Sequence, residues 1–401
     1  MGGDAILVAG AGPGGLTAAL ALQQKGYAVH VFEQAPALGE VGAGLQIGAN
    51  GTRVLHALGL ECALRAAASV PEGKEVRLWD TGETWPLFDL GLASVERYGF
   101  PYYMLHRADL DALLAAAVRR CDRAAIRLGA RCTGFEQDGA GVTLALASGE
   151  TVRGAALIGA DGVHSAIRQA LFGPDTPQFT GCMAWRGLIP AERLPRGMLR
   201  PVGTNWVGPG GHVVHYFVRG GALLNFVGVR ERSDWTIESW TAAGTVEECL
   251  ADFAGWHDDI RAMIRNIATP YKWALMGREP IARWSVGRVG LLGDACHPML
   301  PFLAQGAAMA IEDGYALAAC FEAHREVPAA LRAFEDVRRE RTTRAMRGSA
   351  ANTALFHSPM LASRAPAQRF VAENWHPARV RERYEWLFSH DATRLPAPAR
   401  A

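Results

Sequence analysis

The sequence lacks the patterns that mark disulfide-rich and metal-binding proteins. Its seven cysteines are odd in number, form no Cys-x-x-Cys pair and have no histidines clustered with them at metal-ligand spacing. We therefore expect neither a disulfide framework nor a metal site, and free thiols of this kind suit a reducing compartment.

Long hydrophobic runs are also scarce. An uncharged stretch near the N-terminus, Ala5 to Leu22, follows no basic residue and is interrupted by Gly and Pro. These interruptions favour a strand, a turn and a helix over a signal peptide or a transmembrane span. We therefore expect a cytoplasmic protein without a membrane segment.

Charge of one sign is not in excess. The chain has 401 residues, of which 49% are hydrophobic and 20% charged, and its formal net charge is +1. This balance gives no overall attraction to nucleic acid or to an anionic membrane, so neither is expected as a partner. We interpret the arginine-rich segment Arg338 to Arg347 as a solvated helix face. The length allows two domains or one domain with a large insertion.

A glycine-rich turn near the N-terminus predicts a dinucleotide site. Gly10, Gly12 and Gly15 form a Gly-x-Gly-x-x-Gly pattern between a predicted strand and a predicted helix. Such glycines allow a tight turn, a close backbone approach to a pyrophosphate and close helix packing, and the helix N-terminus attracts the phosphates. Glu33 ends the next predicted strand, where its carboxylate can accept hydrogen bonds from ribose hydroxyls.

A second nucleotide-like element lies far along the chain, between Arg288 and Asp313. A short apolar strand ends at Gly293-Asp294, and a proline-rich loop leads to a helix that begins near Gly306. Asp294 can bind a polyol such as the ribityl chain of FAD, and the helix N-terminus can stabilise negative charge on a reduced flavin ring. The alternative for Asp294 is a helix or turn cap.

The remaining segments predict an α/β protein with two interleaved domains and a cleft between them. The β-α-β patterns and glycine turns are assigned to a discontinuous Rossmann-like FAD-binding domain, residues 1–70, 100–180 and 276–325. Segments rich in tryptophan and in alternating apolar residues are assigned to a mostly antiparallel substrate-binding sheet, residues 71–99 and 181–275. Residues 326–401 are predicted to form a C-terminal helical segment with a looser tail from about Pro359.

Together these motifs resemble the single-component FAD-dependent aromatic hydroxylases, the group that includes salicylate, 3-hydroxybenzoate and 6-hydroxynicotinate hydroxylases. The matching segments are VAGAGPGGLTAALAL, FEQ (32–34), EVGAGLQIGAN (40–50), LHRADL (105–110), IGADGVHSAIR (158–168) and LLGDACHPMLPFLAQGAAMAIED (291–313). The resemblance implies a Rossmann-like FAD domain interleaved with a sheet-based substrate domain. It also implies NADH, in preference to NADPH, as a transient reductant and O2 as co-substrate. We expect a monomer or a homodimer.

Carried over motif by motif, the resemblance implies an FAD site made of Gly10, Gly12, Gly14, Gly15, Glu33, Gln34, Gln46, Arg107, Cys132, Asp161, Asp294, Gly306 and Ala307. Glu33 and Gln34 are expected at the adenosine end, and Arg107 near the pyrophosphate. Cys132 falls at a backbone contact to adenine, and Asp161 in an Asp-Gly motif that serves both FAD and the incoming nicotinamide nucleotide. The remaining assignments place Asp294, Gly306 and Ala307 at the ribityl chain and the flavin ring.

The resemblance also implies a reaction. NADH reduces FAD, O2 adds at flavin C4a to form a hydroperoxide, and a ring that carries a hydroxyl attacks it, preferably as the phenolate. A base beside that hydroxyl is therefore expected. On a strand His212 and Tyr216 share one face, and His215 points to the other.

His212 matches the histidine that activates the phenol in the 3-hydroxybenzoate enzymes. Tyr216 matches the substrate-site tyrosine of the 6-hydroxynicotinate enzymes. The alternative is that both are interior aromatic positions of a sheet.

The sequence departs from both groups in the substrate pocket, which we expect to contain Gln46, His212, Tyr216, Pro301 and Phe302. Gln46 stands where the pyridine enzymes carry a histidine, and Pro301 and Phe302 replace polar residues of the proline-rich loop. The expected substrate is a hydroxylated aromatic acid similar to salicylate or a hydroxybenzoate. The first alternative is a heteroaromatic substrate such as 6-hydroxynicotinate, and the second is a flavin-binding protein without hydroxylase turnover.

Overall fold

The computed structural model describes residues 5–39, 44–232, 234 and 242–394. Two residues of the predicted glycine-rich loop, Gly42 and Ala43, lie outside these ranges. The α-helices are α1 (Pro13–Gln24), α2 (Ala49–Ala57), α3 (Glu61–Ala67), α4 (Gly91–Tyr98), α5 (Arg107–Cys121), α6 (Ala166–Phe172), α7 (Val246–Asp252), α8 (Asp258–Arg265), α9 (Gly306–Ala323), α10 (Val327–Phe356), α11 (Arg364–Asn374) and α12 (Pro377–Phe388).

The strands are β1 (Ile6–Ala9), β2 (Val29–Phe32), β3 (Gly44–Ile47), β4 (Gly73–Leu78), β5 (Thr84–Asp89), β6 (Tyr103–His106), β7 (Ile126–Arg127), β8 (Cys132–Gln137), β9 (Val142–Leu146), β10 (Thr151–Gly154), β11 (Ala156–Gly159), β12 (Gln178–Pro190), β13 (Gly203–Gly208), β14 (Gly211–Val218), β15 (Leu223–Glu231), β16 (Tyr271–Gly277), β17 (Ser285–Val286) and β18 (Val289–Leu291). They confirm the expected α/β class.

A largely parallel sheet with the order β17-β18-β11-β1-β2-β7 forms the centre of the nucleotide-binding part. Strand β1 pairs in parallel with β2 and with β11, and β11 pairs in parallel with β18. All four residues of β1 are buried, which is typical of a central parallel strand with helices on both faces. Because β18 belongs to this sheet, the late strand before Asp294 lies close to the early glycine turn.

Helices α1 and α9 bring the two glycine motifs together. A Cβ atom on Gly314 of α9 would lie 2.6 Å from the backbone nitrogen of Ala18 in α1. Only glycine therefore allows this close approach, since real Cβ contacts are much longer. The packing fixes the N-terminus of α9 relative to the N-terminus of α1.

A second, seven-stranded sheet has the order β16-β12-β15-β14-β13-β4-β5. Its pairs are antiparallel except for β13 and β4, which run parallel. Strands from residues 71–99 and 178–277 thus form one sheet, although the exact domain boundaries stay a prediction. One face packs on α7 and α8 through a buried cluster around Trp206, and the other packs on the C-terminal helices through a cluster around Phe356.

The C-terminal region corrects two sequence-based expectations. The predicted loose tail after Pro359 contains α11 and α12, whose apolar residues Val371, Leu387 and Phe388 join the core. The arginine-rich segment is not simply a solvated face, because Arg338 is fully buried. Its guanidinium is charge-paired, which the pattern of the segment alone does not reveal. None of the helices in the described ranges combines the length and hydrophobicity needed to cross a lipid bilayer.

Candidate active site

The glycine turn after β1 forms an open backbone cradle. Gly10 has a φ of +104°, and a Cβ on Gly15 would lie 2.1 Å from the Gly10 carbonyl oxygen. Gly12 is the N-cap of α1 and has no side chain that could occupy the first amides of the helix. Gly14 is equally crowded, since its Cβ would lie 2.6 Å from Leu292. These features leave the N-terminus of α1 free to bind an anionic phosphate group.

Glu33 lies beside this turn at the end of β2. Its Oε2 accepts a hydrogen bond from the Ala11 amide at 2.8 Å, and its Oε1 accepts one from the Ala35 amide at 2.9 Å. Each carboxylate oxygen has a second lone pair, so Glu33 can still accept hydrogen bonds from two ribose hydroxyls. Gln34, the next residue, is exposed.

Arg107 is the first residue of α5 and points towards the same turn. Its Nη2 lies 3.8 Å from the position of a Cβ on Gly12, and 45% of its side chain is exposed. A partly exposed guanidinium at a helix N-terminus suits a pyrophosphate. Its neighbour one turn later, Asp111, was not identified from the sequence. Burial raises the pKa of Asp111 to about 6, although Arg107 opposes this shift.

Cys132 and Asp161 border the other side of the turn. Burial raises the pKa of the Cys132 thiol to about 12, so the residue stays a neutral thiol at physiological pH. Asp161 accepts a 2.5 Å hydrogen bond from Ser165 Oγ and a longer one from the Ile167 amide. Burial raises the pKa of Asp161, whereas these hydrogen bonds lower it. Asp161 therefore caps α6 at the edge of the cradle.

Asp294 and Gly306 meet where the proline-rich loop begins and ends. Asp294 is exposed, and its Oδ1 lies 3.9 Å from the position of a Cβ on Gly306, the first residue of α9. Asp313 of α9 anchors the start of the loop, because it accepts hydrogen bonds from the Gly293 amide at 3.1 Å and from His297 Nε2 at 2.5 Å. Ala307 is partly buried and follows Gly306 in the helix.

These residues fit FAD. The cradle offers uncapped amides and Arg107 for a pyrophosphate, Glu33 for a ribose, and Asp294 with a helix N-terminus for the ribityl chain and the flavin ring. The glycine turn, Glu33 and Asp294 follow β1, β2 and β18 at one edge of the parallel sheet, whereas Arg107 follows β6 of the two-stranded sheet. Ligands of open α/β sheets bind at such carboxyl-terminal edges.

His212 lies beyond the proline-rich loop, on the face of the second sheet that meets the C-terminal helices. Its ring centroid is 4.9 Å from that of Phe302 and 5.1 Å from that of Phe356. The side chain is buried, and burial lowers its pKa well below the usual range, with His357 adding to the effect. His212 is therefore a neutral imidazole at physiological pH.

A chain of three groups runs from His212 to the surface. His212 Nδ1 lies 2.7 Å from His357 Nε2, and His357 Nδ1 lies 3.0 Å from Glu231 Oε1. Because the carboxylate can only accept, His357 Nδ1 carries its proton and His357 Nε2 accepts the proton of His212 Nδ1. This arrangement assigns the lone pair of His212 to Nε2, which makes Nε2 the basic nitrogen.

Tyr216 lies four residues along the same strand and faces a polar group. It hydrogen-bonds Gln46, and burial raises its pKa. Gln46 Oε1 also accepts a 2.8 Å hydrogen bond from the Tyr102 hydroxyl. A Cβ on Gly44 would lie 2.6 Å from the Tyr216 ring, so the β3 backbone packs directly on it. The structure therefore brings together Gln46 and Tyr216, as expected, and adds Tyr102.

Two neighbouring residues lie apart from this group. His215 points to the opposite face, where Trp206 Nε1 donates a 3.0 Å hydrogen bond to its Nε2. Pro301 is exposed at the tip of the loop. A cavity of about 460 Å³ lies on the far side of the loop, beside Met299 and Leu300, and its lining contains none of Gln46, His212 and Tyr216. The other predicted substrate residues instead form two pairs, His212 with Phe302 and Gln46 with Tyr216.

His357 and Glu231 are candidate site residues, through their contacts with His212, that the sequence motifs did not identify. His357 follows the last residue of α10, beyond the segments that carry the family resemblance, and Glu231 ends β15. The Gly210 amide donates to the His357 carbonyl at 3.1 Å, which holds the end of α10 against the turn between β13 and β14. The His-Ser-Pro segment, which is typical of a loop, was the sequence signal that α10 ends at this point.

Comparison with known proteins supports this geometry. Residues 4–349 match the FAD binding domain family. The chain is 39% identical over 388 residues to a 3-amino-4-hydroxybenzoate 2-monooxygenase of Streptomyces platensis, covering 96% of each chain. It is 37% identical to the 6-hydroxynicotinate 3-monooxygenase of Pseudomonas fluorescens, with 98% of this chain and 96% of the relative covered. Klebsiella pneumoniae HpxO, solved with FAD and uric acid, superposes with a TM-score of 0.82 at 26% identity and 97% coverage of each chain.

Proposed function

This chain belongs to the FAD-dependent aromatic monooxygenases of the FAD binding domain family, and we propose that it hydroxylates a hydroxylated aromatic acid similar to a hydroxybenzoate or salicylate. Relatives that act on an aminohydroxybenzoate and on 6-hydroxynicotinate support an aromatic acid with a ring hydroxyl. The 6-hydroxynicotinate relative also keeps a heteroaromatic acid as the alternative.

The observation that carries the proposal is the contact between His212 and Phe302. Phe302 lies in the loop between Asp294 and Gly306, which are the two expected contacts to the flavin. The ring centroids of His212 and Phe302 are 4.9 Å apart, which supports a base at His212 beside the loop that carries the expected flavin contacts. This arrangement is what hydroxylation of a phenol requires.

The proton chemistry falls to His212. We assign its Nε2 as the atom that accepts the proton of the substrate hydroxyl, because the hydrogen bond to His357 commits Nδ1 to donation. A phenolate is a far better carbon nucleophile than a phenol, so removal of this proton activates the ring. Tyr216 and Gln46 are assigned to hold a polar group of the substrate beside the base.

FAD, when bound and reduced by NADH, supplies the activated oxygen for the hydroxylation. The chain contributes Glu33 to the adenosine, Arg107 to the pyrophosphate and Asp294 to the ribityl chain. Phe302, Phe356 and Tyr102 surround the substrate residues with apolar surface. This surface excludes water, which would otherwise release the oxygen as peroxide.

The test is a panel of aromatic acids given to the FAD-loaded enzyme with NADH. The panel contains salicylate, 3- and 4-hydroxybenzoate, 3-amino-4-hydroxybenzoate and 6-hydroxynicotinate. We expect one acid to accelerate both NADH oxidation and O2 uptake. The product should be heavier by one oxygen or, where a hydroxyl replaces the carboxylate, changed by the gain of one oxygen and the loss of CO2. The proposal fails if none of these acids stimulates NADH oxidation above the rate without substrate.

Substitution of the base tests the mechanism separately. His212→Gln should lower coupled product formation at least tenfold and leave the FAD content unchanged. A parallel loss of FAD and activity would instead assign His212 a structural role.

The preference for NADH, the cytoplasmic location and the monomer or homodimer stay predictions. The seven free cysteines support a location in a reducing compartment.

A further inference from the structure

One lysine of this chain differs from the other two. Lysine occurs only at positions 25, 74 and 272. Lys25 pairs with Glu322 at 2.6 Å, and Lys272 pairs with Glu248 at 3.0 Å. Among the described residues, no carboxylate lies within ion-pair distance of the Lys74 ammonium group. A partly buried cation without an anion is costly, so its retention calls for an explanation.

Lys74 lies in the same cross-strand row as Tyr216. Strand register pairs Asn225 of β15 with Tyr216 of β14, and Gly203 of β13 with Lys74 of β4. Since Thr204 pairs with His215, Gly203 stands opposite Tyr216. Side chains in one row share a face of the sheet. Lys74, Tyr216 and Asn225 therefore face the substrate side.

The immediate surroundings of Lys74 are aromatic and apolar. Its Nζ lies 5.3 Å from the centroid of the Tyr102 ring, whose hydroxyl donates to Gln46. Burial lowers the pKa of Lys74 to about 8, so the ammonium form is only marginally favoured without an anion. Gly203 separates it from Tyr216, and the terminal methyl of Met104 covers Gly203. Methionine is flexible, so this methyl can move aside for a ligand.

Asn225 provides an independent sign that the row faces a ligand. Its Oδ1 accepts a 2.7 Å hydrogen bond from the Gly44 amide, which fixes the orientation of the amide group. The residue is only 1% exposed, and its buried Nδ2 has no hydrogen-bond partner among the residues that the structure describes. An orphaned buried donor is unfavourable in a folded protein. A ligand that accepts a hydrogen bond would satisfy it.

We propose that Lys74 is the anchor for the carboxylate of the aromatic substrate, with Asn225 Nδ2 as a donor to a polar substituent at the other end of the ring. Lys74 and Asn225 are three strand spacings apart, roughly 14 Å between Cα atoms. Tyr216 lies between them in the row. The inference rests on the proposed function, and it makes the acid group the feature that the site selects.

Arg186 is a buried cation of the same sheet, and its environment differs from that of Lys74. Its guanidinium lies 5.6 Å from the Tyr271 ring centroid and 5.3 Å from that of Trp273. It is on β12, on the far side of β15 and β14 from Lys74. In β12 the partner of Asn225 is Leu188 and not Arg186, so Lys74, unlike Arg186, lies in the same cross-strand row as Tyr216.

The first test compares an acid with its amide. Flavin fluorescence of the FAD-loaded enzyme measures the dissociation constants of 3-hydroxybenzoate and 3-hydroxybenzamide. If the substrate panel selects another acid, that acid and its amide replace this pair. Lys74→Met should weaken acid binding about 10- to 100-fold and change amide binding less than about twofold. KM for the acid should rise with little change in kcat, since an anchor acts equally on ground state and transition state.

Controls separate anchoring from folding. Lys74→Arg should keep most of the affinity for the acid, because it keeps the positive charge. Lys25→Met, which removes a surface lysine paired with Glu322, should change neither affinity. Equal weakening of acid and amide binding by Lys74→Met, or no weakening of either, would overturn the proposal. Failure of the acid panel with the unaltered enzyme would instead overturn the proposed function.

A second test needs no variant. The tyrosines on this side, Tyr102, Tyr216 and Tyr384, have pKa values raised by burial and stay neutral up to pH 9. Lys74 is then the group that loses charge, so the acid-to-amide affinity ratio of the unaltered enzyme should fall as pH rises through 8. The bound carboxylate shifts this fall upward by favouring the ammonium form. A ratio that stays constant between pH 7 and 10 would also overturn the proposal.

Discussion

His357 Nε2 lies 2.7 Å from His212 Nδ1, and this contact connects a buried imidazole to the protein surface. The next link is Glu231, whose side chain is 54% exposed and whose Oε1 is 3.0 Å from His357 Nδ1. A proton taken up at His212 Nε2 can therefore leave from Nδ1 through His357 to Glu231 and solvent. In the proposed mechanism His357 and Glu231 would be positioning residues, because they would act on the substrate only through His212.

The first prediction concerns this relay. Glu231→Leu removes the acceptor that holds the proton on His357 Nδ1, so His212 loses its fixed tautomer. We expect kcat for the coupled reaction to fall tenfold or more with little change in the substrate dissociation constant, since general-base catalysis contributes about 10²- to 10⁴-fold. The measurement is kcat and product formation per turnover across pH 6–9. Besides Glu231, Arg230 is the other charged group near His357.

Two comparisons sharpen that measurement. Glu231→Gln still accepts the hydrogen bond but cannot take up a proton, so its kcat should fall between those of the leucine variant and the unaltered enzyme. Asp258→Asn removes a fully exposed carboxylate elsewhere and should have no effect. Nitrogen chemical shifts of labelled histidines should show a proton on His212 Nδ1 in the unaltered enzyme. A proton on Nε2 there would contradict the relay.

The flavin cradle was largely predictable from sequence because its geometry is local. Gly10 and Gly15 lie within one turn, and their role depends on backbone space that only glycine provides. Glu33 follows from the length of a single β-α-β unit. The approach of Asp294 to this turn was predictable only through the resemblance, since 261 residues separate it from Glu33.

The other half of the site could not be predicted for a physical reason. Lys74 faces Tyr216 only because β4 pairs with β13, and strand register is not written in the local pattern of either strand. His357 depends on where the long α10 ends, which lies outside the matched motifs. Arg338 was misassigned because its segment has the composition of a solvated helix, while its partners lie on α9.

The second prediction concerns the buried charge of Arg338. Its Nε donates to Asp313 Oδ1 at 2.7 Å, and its Nη1 donates to Glu312 Oε2 at 2.6 Å. Burial opposes both carboxylate charges, yet the neighbouring cations, Arg338 among them, hold both pKa values below their usual range. Arg338→Met leaves these charges undercompensated and should lower the free energy of unfolding by about 3–5 kcal/mol.

Urea denaturation and FAD content together check this expectation. Asp313 also holds the Gly293 amide, so Arg338→Met should weaken FAD retention as well as stability. Arg339→Met is the matched control, since Arg339 is 46% exposed and its pair with Glu335 should be worth about 1 kcal/mol or less. Equal effects of the two substitutions would mean that the buried cluster does not support the flavin loop.

The third prediction tests the packing that joins the two glycine motifs. A Cβ on Gly314 would lie 2.6 Å from the Ala18 nitrogen and 2.9 Å from Thr17 Cβ. Gly314→Ala should therefore force α1 and α9 apart, with a loss of about 1–3 kcal/mol and weaker FAD binding. Thermal unfolding and flavin titration measure both effects. Gly139→Ala, where a Cβ meets nothing within 4 Å, should leave both unchanged.

The fourth prediction concerns stability in acid. Burial lowers the pKa of His215 to about 3, with Arg77 adding to the effect, while its ordinary value is 6.5. Below pH 6.5 the unfolded chain binds a proton at His215 that the folded chain does not, so stability must fall as pH falls from 6.5 towards 3. The contribution of one such histidine to the slope is up to about 1.4 kcal/mol per pH unit. His215→Gln keeps an acceptor for Trp206 Nε1 but cannot titrate. Unfolding free energies measured between pH 7 and 4 should therefore decline less steeply in this variant than in the unaltered protein. The control His164→Gln changes an exposed histidine and should decline as steeply as the unaltered protein. Parallel declines in all three would mean that His215 is protonated in the folded state and that its hydrogen bond with Trp206 has reorganised.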